Sequence, residues 1–520
     1  MAVNAKYVHS SLPVWALAAG VSRYARLPHD VTVVEATIGQ DSGGIVGRVA
    51  ARSPDVVGVS AYIWNAAKLP ELLALLRESL PDAVFVLGGP EAAHNADYWL
   101  ARGAGFVLRG EGERRFPALL DKLAGWEGPE EEAADDWPDP YTEACLEALD
   151  GRIAYLETSR GCPFRCAFCL SGGSGVRFLP LDAAKERIGK LSRSGARTVK
   201  LVDRTFNCDA GRAYELFAHI IGLDTPCRFH FEVAADLFDR RTLSLLASAP
   251  PGRIQLEAGL QSFFGPALKA SSRQTDLAKA GRAIRALVRG RNIHVHADLI
   301  AGLPEETLPR FQDSFDQAYA LGAHHLQLGF LKLLHGSELR KQAASLGIRY
   351  NPEPPYEITG SPWLNAEDLV CLKQAENALR HTYNKSRFLT ALDYLLSVSG
   401  LRPFSLYHTL GGFAPNHGTP LEGYAAQLYD CGVRLPGVDG DELRDRLLCD
   451  WLGMVKGKNL PSFLKTPDGR RKAVAEKAET LLGRGVGRGE AAVLRSGRGV
   501  FADSADRDPV TGLYRLHFIE

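Results

Sequence analysis

Apolar and polar positions change period several times along the 520 residues, and the changes divide the chain. In residues 1–125, short apolar runs alternate with longer amphipathic ones. Val14, Leu17, Ala18 and Val21 recur at helical spacing, and residues 69–80 carry a single apolar stripe. Residues 31–34, 55–60, 83–87 and 105–108 read as strands. This alternation predicts a doubly wound, Rossmann-like parallel sheet, with ligands beyond the carboxyl ends of its strands. Only Met1–Val3 stand where a full first strand is expected, an abrupt beginning. Residues 126–149 are rich in Asp, Glu, Pro and Gly, and read as an acidic, solvated linker.

The alternation resumes over 150–348. Strands are expected at 153–157, 198–202, 228–233, 253–257, 293–299 and 324–330. Helices are expected near 181–194, 210–222, 240–248, 275–289, 305–321 and 338–346. Six such units predict a partial (β/α) barrel whose chemistry lies at the carboxyl ends of the strands. Residues 349–520 read as a mainly helical extension, with apolar stripes at 369–380 and 388–396 and strand-like alternation at 512–519.

Composition narrows the class. Lys plus Arg equals Asp plus Glu, 61 each, which argues against a nucleic-acid-seeking protein. No apolar run reaches a membrane-spanning length and no leader pattern opens the chain, so a cytoplasmic protein is expected. The nine cysteines do not form a secreted framework; Cys145, Cys208, Cys227, Cys371, Cys431 and Cys449 are scattered and read as small core residues. The Gly- and Arg-rich run at 483–498 is interrupted by Glu490, Ala491 and Ala492 and reads as a basic loop.

The remaining three cysteines concentrate the chemistry. Cys162, Cys166 and Cys169 follow the spacing Cys-x3-Cys-x2-Cys, with Phe168 before the third, directly after the first barrel strand. A structural zinc site is closed by four N or S ligands, and the loop offers three. A [4Fe–4S] cluster on three cysteines leaves one iron open. A zinc knuckle or buried structural thiols are the plainer alternative.

The loop resembles that of radical S-adenosylmethionine (SAM) enzymes, in which the open iron chelates SAM. The resemblance implies SAM contacts at successive strand ends. Asp203 and Arg204 follow the second strand, where the SAM amino group is held, although Asp203 and Arg204 pairing with each other is an alternative. Glu232 closes the third strand, and Glu257 with Gln261 the fourth. Ile300 lies in the adenine-stacking turn after the fifth, and Leu333 follows the sixth, where backbone groups read the adenine edge. Phe168 is expected over the cluster or the adenine.

The N-terminal region resembles the cobalamin (B12)-binding domain that precedes many radical SAM domains. The matching residues are Ser60, then Gly88-Gly89-Pro90, then Gly110-Glu111-Gly112-Glu113. The Asp-x-His-x-x-Gly motif that supplies a histidine to cobalt is absent; His9 and His94 are the remaining candidates. The extension resembles an uncharacterised region (DUF4080-like) carried by one subgroup of these proteins. Within it, Tyr383-Asn384-Lys385-Ser386-Arg387-Phe388 and Ser405-Leu406-Tyr407-His408 are stretches that would face a substrate, with His381, Tyr383 and His408 as hydrogen-bonding candidates.

Together these resemblances imply a [4Fe–4S] cluster, SAM and cobalamin. They imply reductive cleavage of SAM to a 5′-deoxyadenosyl radical and methylation of an unactivated carbon. The expected partners are an external flavodoxin- or ferredoxin-like electron donor and a small-molecule or peptide substrate. A radical SAM oxidoreductase or cyclase without methyl transfer, a tRNA methylthiotransferase, and a non-catalytic cobalamin or Fe–S sensor stand as alternatives.

Overall fold

The computed structural model describes residues 1–128, 137–173, 175–412, 419–456, 460–465, 470–486 and 490–519. The acidic run at 130–136 and part of the basic loop at 483–498 lie outside them.

Five short strands build the N-terminal domain: β1 (Ala2–Asn4), β2 (Glu35–Thr37), β3 (Val56–Ser60), β4 (Val84–Gly88) and β5 (Phe106–Val107). β1 pairs in parallel with β2, and β3-β4-β5 form a second parallel set. Met1 joins the two sets. Its amino group donates to Gly58 O at 2.6 Å, and Ser60 N–H donates to Met1 O at 3.2 Å. The resulting order, 2-1-3-4-5, reverses direction between β1 and β3, the point where doubly wound sheets hold ligands. The strand expected at 31–34 is displaced to β2: Val31 is exposed, whereas Ala36 is buried in the core beside Val3, Val57 and Val59. Burial against the layer beneath, not the local apolar run, selects the strand.

The central domain opens with β6 (Ile153–Leu156). A two-stranded antiparallel pair, β7 (Ser159–Arg160) and β8 (Arg177–Phe178), closes the base of the cysteine loop. Then follow β9 (Thr198–Leu201), β10 (Arg228–Val233), β11 (Ile254–Gln261), β12 (His294–Ala301) and β13 (His325–Phe330). The six long strands pair in parallel, in the order 13-12-11-10-9-6, an open partial barrel.

Alternation assigns two faces to the barrel strands. Val199, Phe229, Phe231, Ile254, Leu256, Val295 and Leu299 are all essentially buried, in one core with helix residues Leu216, Phe217, Ile284, Phe311 and Phe315. Each such side chain contributes about 1.5–3 kcal/mol when removed from water. The opposite row carries Lys200, His230, Glu232, Glu257, His294, His296, Asp298, His325 and Gln327, and lines the concave side.

The extension is mainly helical, with long helices Ala366–His381, Leu389–Ser399, Leu421–Gly432 and Gly440–Met454. Two small antiparallel sheets complete it. One pairs β14 (Arg349–Tyr350) with β15 (Ile358–Gly360); the other joins β16 (Ala491–Val493), β17 (Gly499–Arg507) and β18 (Tyr514–Ile519). Among the described residues no helix is long and apolar enough to cross a membrane.

Candidate active site at the facing strand ends

The cysteine loop leaves the carboxyl end of β6, closed below by β7 and β8. Its backbone is anchored from two later segments: Ala167 N–H donates to Ser271 O at 2.9 Å, and Leu339 N–H donates to Ala167 O at 2.8 Å. Cys162 and Cys166 are buried and Cys169 half-buried. Each sulfur has a polar neighbour. Cys162 Sγ lies 3.5 Å from Thr205 Oγ1, Arg273 Nη1 donates to Cys166 Sγ at 3.7 Å, and Ser171 N–H donates to Cys169 Sγ at 3.4 Å. Burial pushes the Cys166 thiol up, and the Arg273 guanidinium opposes it.

Among the described residues no three His, Cys, Asp or Glu side chains are grouped to hold one metal ion. A tetranuclear cluster asks for a wider set, since each thiolate binds a separate iron. Three sulfurs on one anchored loop, each met by a polar group, fit that donor chemistry. Phe168 is half-buried against the barrel core.

Asp203 has a different task from the one expected. Its Oδ1 accepts from Thr158 N–H at 2.7 Å and Ser159 N–H at 3.1 Å, and its Oδ2 from Thr158 Oγ1 at 2.5 Å. The carboxylate is thus occupied in clamping the segment that launches the loop, and burial pushes its pKa up. It does not pair with Arg204, which is exposed.

Glu257 also departs from expectation. β11 runs on to Gln261, so Glu257 sits mid-strand, level with Glu232 and His296 in register. It accepts from Lys200 Nζ at 3.3 Å and lies 2.9 Å from His230 Nε2. Burial raises its pKa, but the His230 hydrogen bond and Lys200 overcome this and hold it at about 2. Beside it, burial and the neighbouring carboxylates push Asp298 well up. Lys200 lies 3.7 Å from Glu232, whose pKa burial also raises. Burial and the surrounding imidazoles hold His294 down at about 3 and His296 at about 2. His296 stacks on His325, with ring centroids 4.8 Å apart. This polar interior layer had no local sequence signal as a group; Glu232 and Glu257 were legible only singly, as residues expected at strand ends.

At the strand ends proper, Gln261 has φ +70° at a register shift between Gly259 and Gln261. A left-handed backbone is unfavourable for a non-glycine residue by about 1–2 kcal/mol, so the bulge holds Gln261 there against its preference. Ile300 lies beside Gly329 on the concave row. Leu333 does not leave its backbone open. Its N–H donates to Tyr356 O at 2.9 Å and its carbonyl accepts from Arg340 Nη1. The segment after β13 is thereby paired with the extension.

The N-terminal strand ends face this same side of the barrel. Over β3, β4 and β5 they carry Ser60, Ala61, Gly88, Gly89 and Gly110. A Cβ on Gly88 would meet nothing nearer than Leu108 at 4.0 Å, and one on Gly110 nothing nearer than Arg115 at 3.6 Å, so a shelf lies open there. Gly89 serves the turn: φ is +96° and a Cβ would lie 2.6 Å from Ala61 O. Pro90 begins the helix Pro90–His94 that follows. Tyr62 and Trp64 stack beside the shelf at 4.3 Å, and Trp64 is 47% exposed. Asn65 ties β1 to β3 by donating to Val3 O at 3.1 Å and Ser60 O at 3.0 Å. These three side chains were not singled out in the sequence, although Tyr-x-Trp-Asn directly after a small-residue strand end was its available signal.

Glu111 and Glu113 are engaged by the barrel instead of the shelf. Arg160 pairs with Glu113, with Glu111 at 3.2 Å and with Glu157 at 2.8 Å, and Arg177 pairs with Glu111. Gly112 packs on Leu17. On the other flank, Tyr356 OH donates to Glu91 Oε1 at 2.6 Å, and His94 packs against Gly336. His9 lies 2.6 Å from Tyr155 OH, at the joint with β6.

Cys145, Cys227, Cys431 and Cys449 are buried and Cys208 and Cys371 half-buried. Tyr383 OH donates to Ala323 O, His381 lies 2.8 Å from Asn377 O, and His408 stacks on Phe404. Leu406 and Tyr407 are buried in the core and so do not face a substrate.

Comparison with known proteins agrees with this geometry. The family models for the B12 binding domain, the radical SAM superfamily and DUF4080, a protein family of unknown function, match residues 1–120, 156–318 and 344–484. The chain is 24% identical over 401 residues to the cobalamin-dependent radical SAM methyltransferase TokK of Streptomyces tokunonensis, covering 68% of this chain and 58% of TokK. It is 24% identical over 416 residues to the 2-(S-pantetheinyl)-carbapenam-3-carboxylate methyltransferase of Streptantibioticus cattleyicolor, again 68% and 58%. The chain thus spans 58% of the length of these curated relatives. The fold is shared with the radical SAM methyltransferase TsrM of Kitasatospora setae, solved with cobalamin and a [4Fe-4S] cluster bound. There the TM-score is 0.54 at 18% identity, over 87% of this chain and 95% of TsrM. A B12 binding domain, a radical SAM domain and a DUF4080 region thus follow one another along the chain.

Proposed function

We propose that this protein is a cobalamin-dependent radical SAM enzyme that methylates an unactivated carbon. The observation that carries the reading is the opposition of two strand-end faces. The cysteine loop and the cobalamin-domain shelf look toward each other, joined by Arg160–Glu113 on one flank and Tyr356–Glu91 on the other. Cys162, Cys166 and Cys169 are the residues to hold a [4Fe–4S] cluster; Ser60, Gly88, Gly89 and Gly110 are the floor for cobalamin. When bound, these groups supply one-electron cleavage of SAM and a methyl carrier.

The chain's own residues orient and enclose. Asp203 and Arg273 fix the loop, Gln261 and Ile300 border the SAM side, and the apposed faces exclude water. An external flavodoxin- or ferredoxin-like donor supplies electrons, and a reducing cytoplasm suits an open cluster. The named substrate of the carbapenam relative supports a small-molecule substrate here too.

The test is anaerobic reconstitution with iron, sulfide and hydroxocobalamin, followed by metal analysis and a SAM-cleavage assay. About four irons and about one cobalt per chain are expected, with 5′-deoxyadenosine formed under reduction. Iron without cobalt would replace methyl transfer by another radical reaction. Zinc in place of iron would remove the reading altogether.

A further inference from the structure

An open cavity of about 910 Å³ lies between β13 and the helix Ala366–His381. Its size is in the range that holds a small molecule, roughly 300–1,000 Å³. One wall is His325, Gln327 and Gly329, the concave row of the barrel's edge strand. In register, Gln327 stands beside Asp298 and Gly329 beside Ile300. The cavity therefore lies along the barrel's open edge. Asn384 keeps that edge from pairing with another strand: it accepts from Leu326 N–H at 2.9 Å and donates to Leu326 O at 2.8 Å.

The charges around the cavity do not cancel. Lys373 pairs with Glu357 at 2.8 Å, and Arg380 with Glu376 at 3.0 Å. Lys332 and Lys385 also line it, and among the described residues neither has an ion-pair partner. Two cations thus remain on a wall that otherwise offers Gln327, Gln374 and Asn377 as neutral hydrogen-bonding groups.

We propose that this cavity is the substrate site and that it takes an elongated small molecule with an acidic group, carboxylate or phosphate ester, at each end, one met by Lys332 beyond the carboxyl end of β13 and the other by Lys385 near its amino end. A lysine ammonium recognises either anion as a point charge. The apolar rim of Leu328, Phe330 and Val370 would take the carbon skeleton between those groups. Calling the occupant the substrate rests on the proposed function; the anion site itself does not.

The experiment separates the two. Inorganic pyrophosphate and glutarate are titrated by calorimetry into the full-length wild-type protein, into Lys332→Ala/Lys385→Ala, and into Lys472→Ala as an exposed lysine outside the cavity. Substrate-independent 5′-deoxyadenosine formation is measured on each reconstituted sample. The expected result is saturable binding of at least one anion, weakened tenfold or more in the double variant and unchanged in Lys472→Ala. Glu357→Gln, which releases Lys373, should strengthen it. Pyrophosphate binding alone assigns a phosphate ester, and glutarate binding alone a carboxylate. No saturable binding, or equal binding by the double variant, overturns the anion site. Loss of 5′-deoxyadenosine formation with binding intact overturns the proposed function and leaves the anion site standing. A thermal melt of the double variant matching wild type is required for the comparison; if that variant fails to fold, Lys332→Gln and Lys385→Gln singly must each weaken binding, and unchanged binding in both overturns the site.

Discussion

Arg160, two residues before Cys162, pairs with Glu113 at the start of a helix in the other domain. The pair is mostly shielded, with side-chain exposures of 19% and 10%. Gly20 sets its position from behind: a methyl there would sit 2.1 Å from Glu113 O, so only glycine lets the helix Leu12–Tyr24 close on this turn. One arginine thereby couples the loop that holds the sulfurs to the domain that offers the shelf.

Removing that coupling should loosen the loop without unfolding the barrel. Glu113→Ala is expected to cost about 2 kcal/mol, less than for a fully buried pair because Glu111 and Glu157 still face Arg160. Amide exchange should accelerate across 157–173 and stay unchanged in β10 to β12. Gly20→Ala should reproduce the effect from a distance. Uniform acceleration over both domains would mean that the pair stabilises the whole fold and not the joint.

Asp203 receives two backbone N–H groups and one hydroxyl. Asp203→Asn keeps the shape but turns one acceptor into a donor that faces a hydroxyl, and it removes the charge. A loss of about 1 kcal/mol is expected, as for one neutral hydrogen bond, because burial already disfavours the charge that Asn removes. Iron content after reconstitution should fall with it, because the clamp orients residues 158 and 159 just ahead of Cys162. Full iron retention in a variant that melts earlier would restrict Asp203 to folding.

Arg273 reaches Cys166 Sγ and also donates to Gly259 O at 2.7 Å, linking the loop to the bulged end of β11. Hydrogen bonds and positive charge near cluster sulfurs favour the reduced, more negative state. Arg273→Leu should therefore lower the reduction potential of the reconstituted cluster, with Arg273→Lys in between. A spectroscopic redox titration reads this directly. An unmoved potential would reduce Arg273 to a purely mechanical tie.

Glu306 should make stability depend on pH. Its Oε1 accepts from Ser262 Oγ at 2.6 Å and Ser314 Oγ at 2.7 Å, and burial pushes its pKa from 4.5 to about 7. The folded state thus prefers the protonated acid. Below about 4.5 both states are protonated and nothing is lost. As pH rises from there to about 7 the unfolded chain ionises first, and stability falls. The full effect is on the order of 3 kcal/mol. Glu306→Gln should gain on wild type at pH 8 and match it near pH 4.5 in denaturant titrations. A constant difference across that window would contradict the buried neutral acid.

The amino-acid order alone carries the succession of the domains, the alternation of strands and helices, and the three-cysteine loop at a strand end. These follow from local rules: side-chain period, turn residues and the spacing of thiols on one short segment. Even there it displaced β2, because a three-residue strand is chosen by what covers it. Tertiary structure decided the partners. Arg273 meets Cys166 across 107 positions and Tyr356 meets Glu91 across 265, and no local period encodes such pairs. Asp203, Glu257, Glu111 and Glu113 were visible as carboxylates, but a buried carboxylate takes its role from the donors that fold around it. The histidine row and the cavity beside Lys332 and Lys385 depend on strand register and on how the extension docks against the barrel edge, and contacts between distant segments set both.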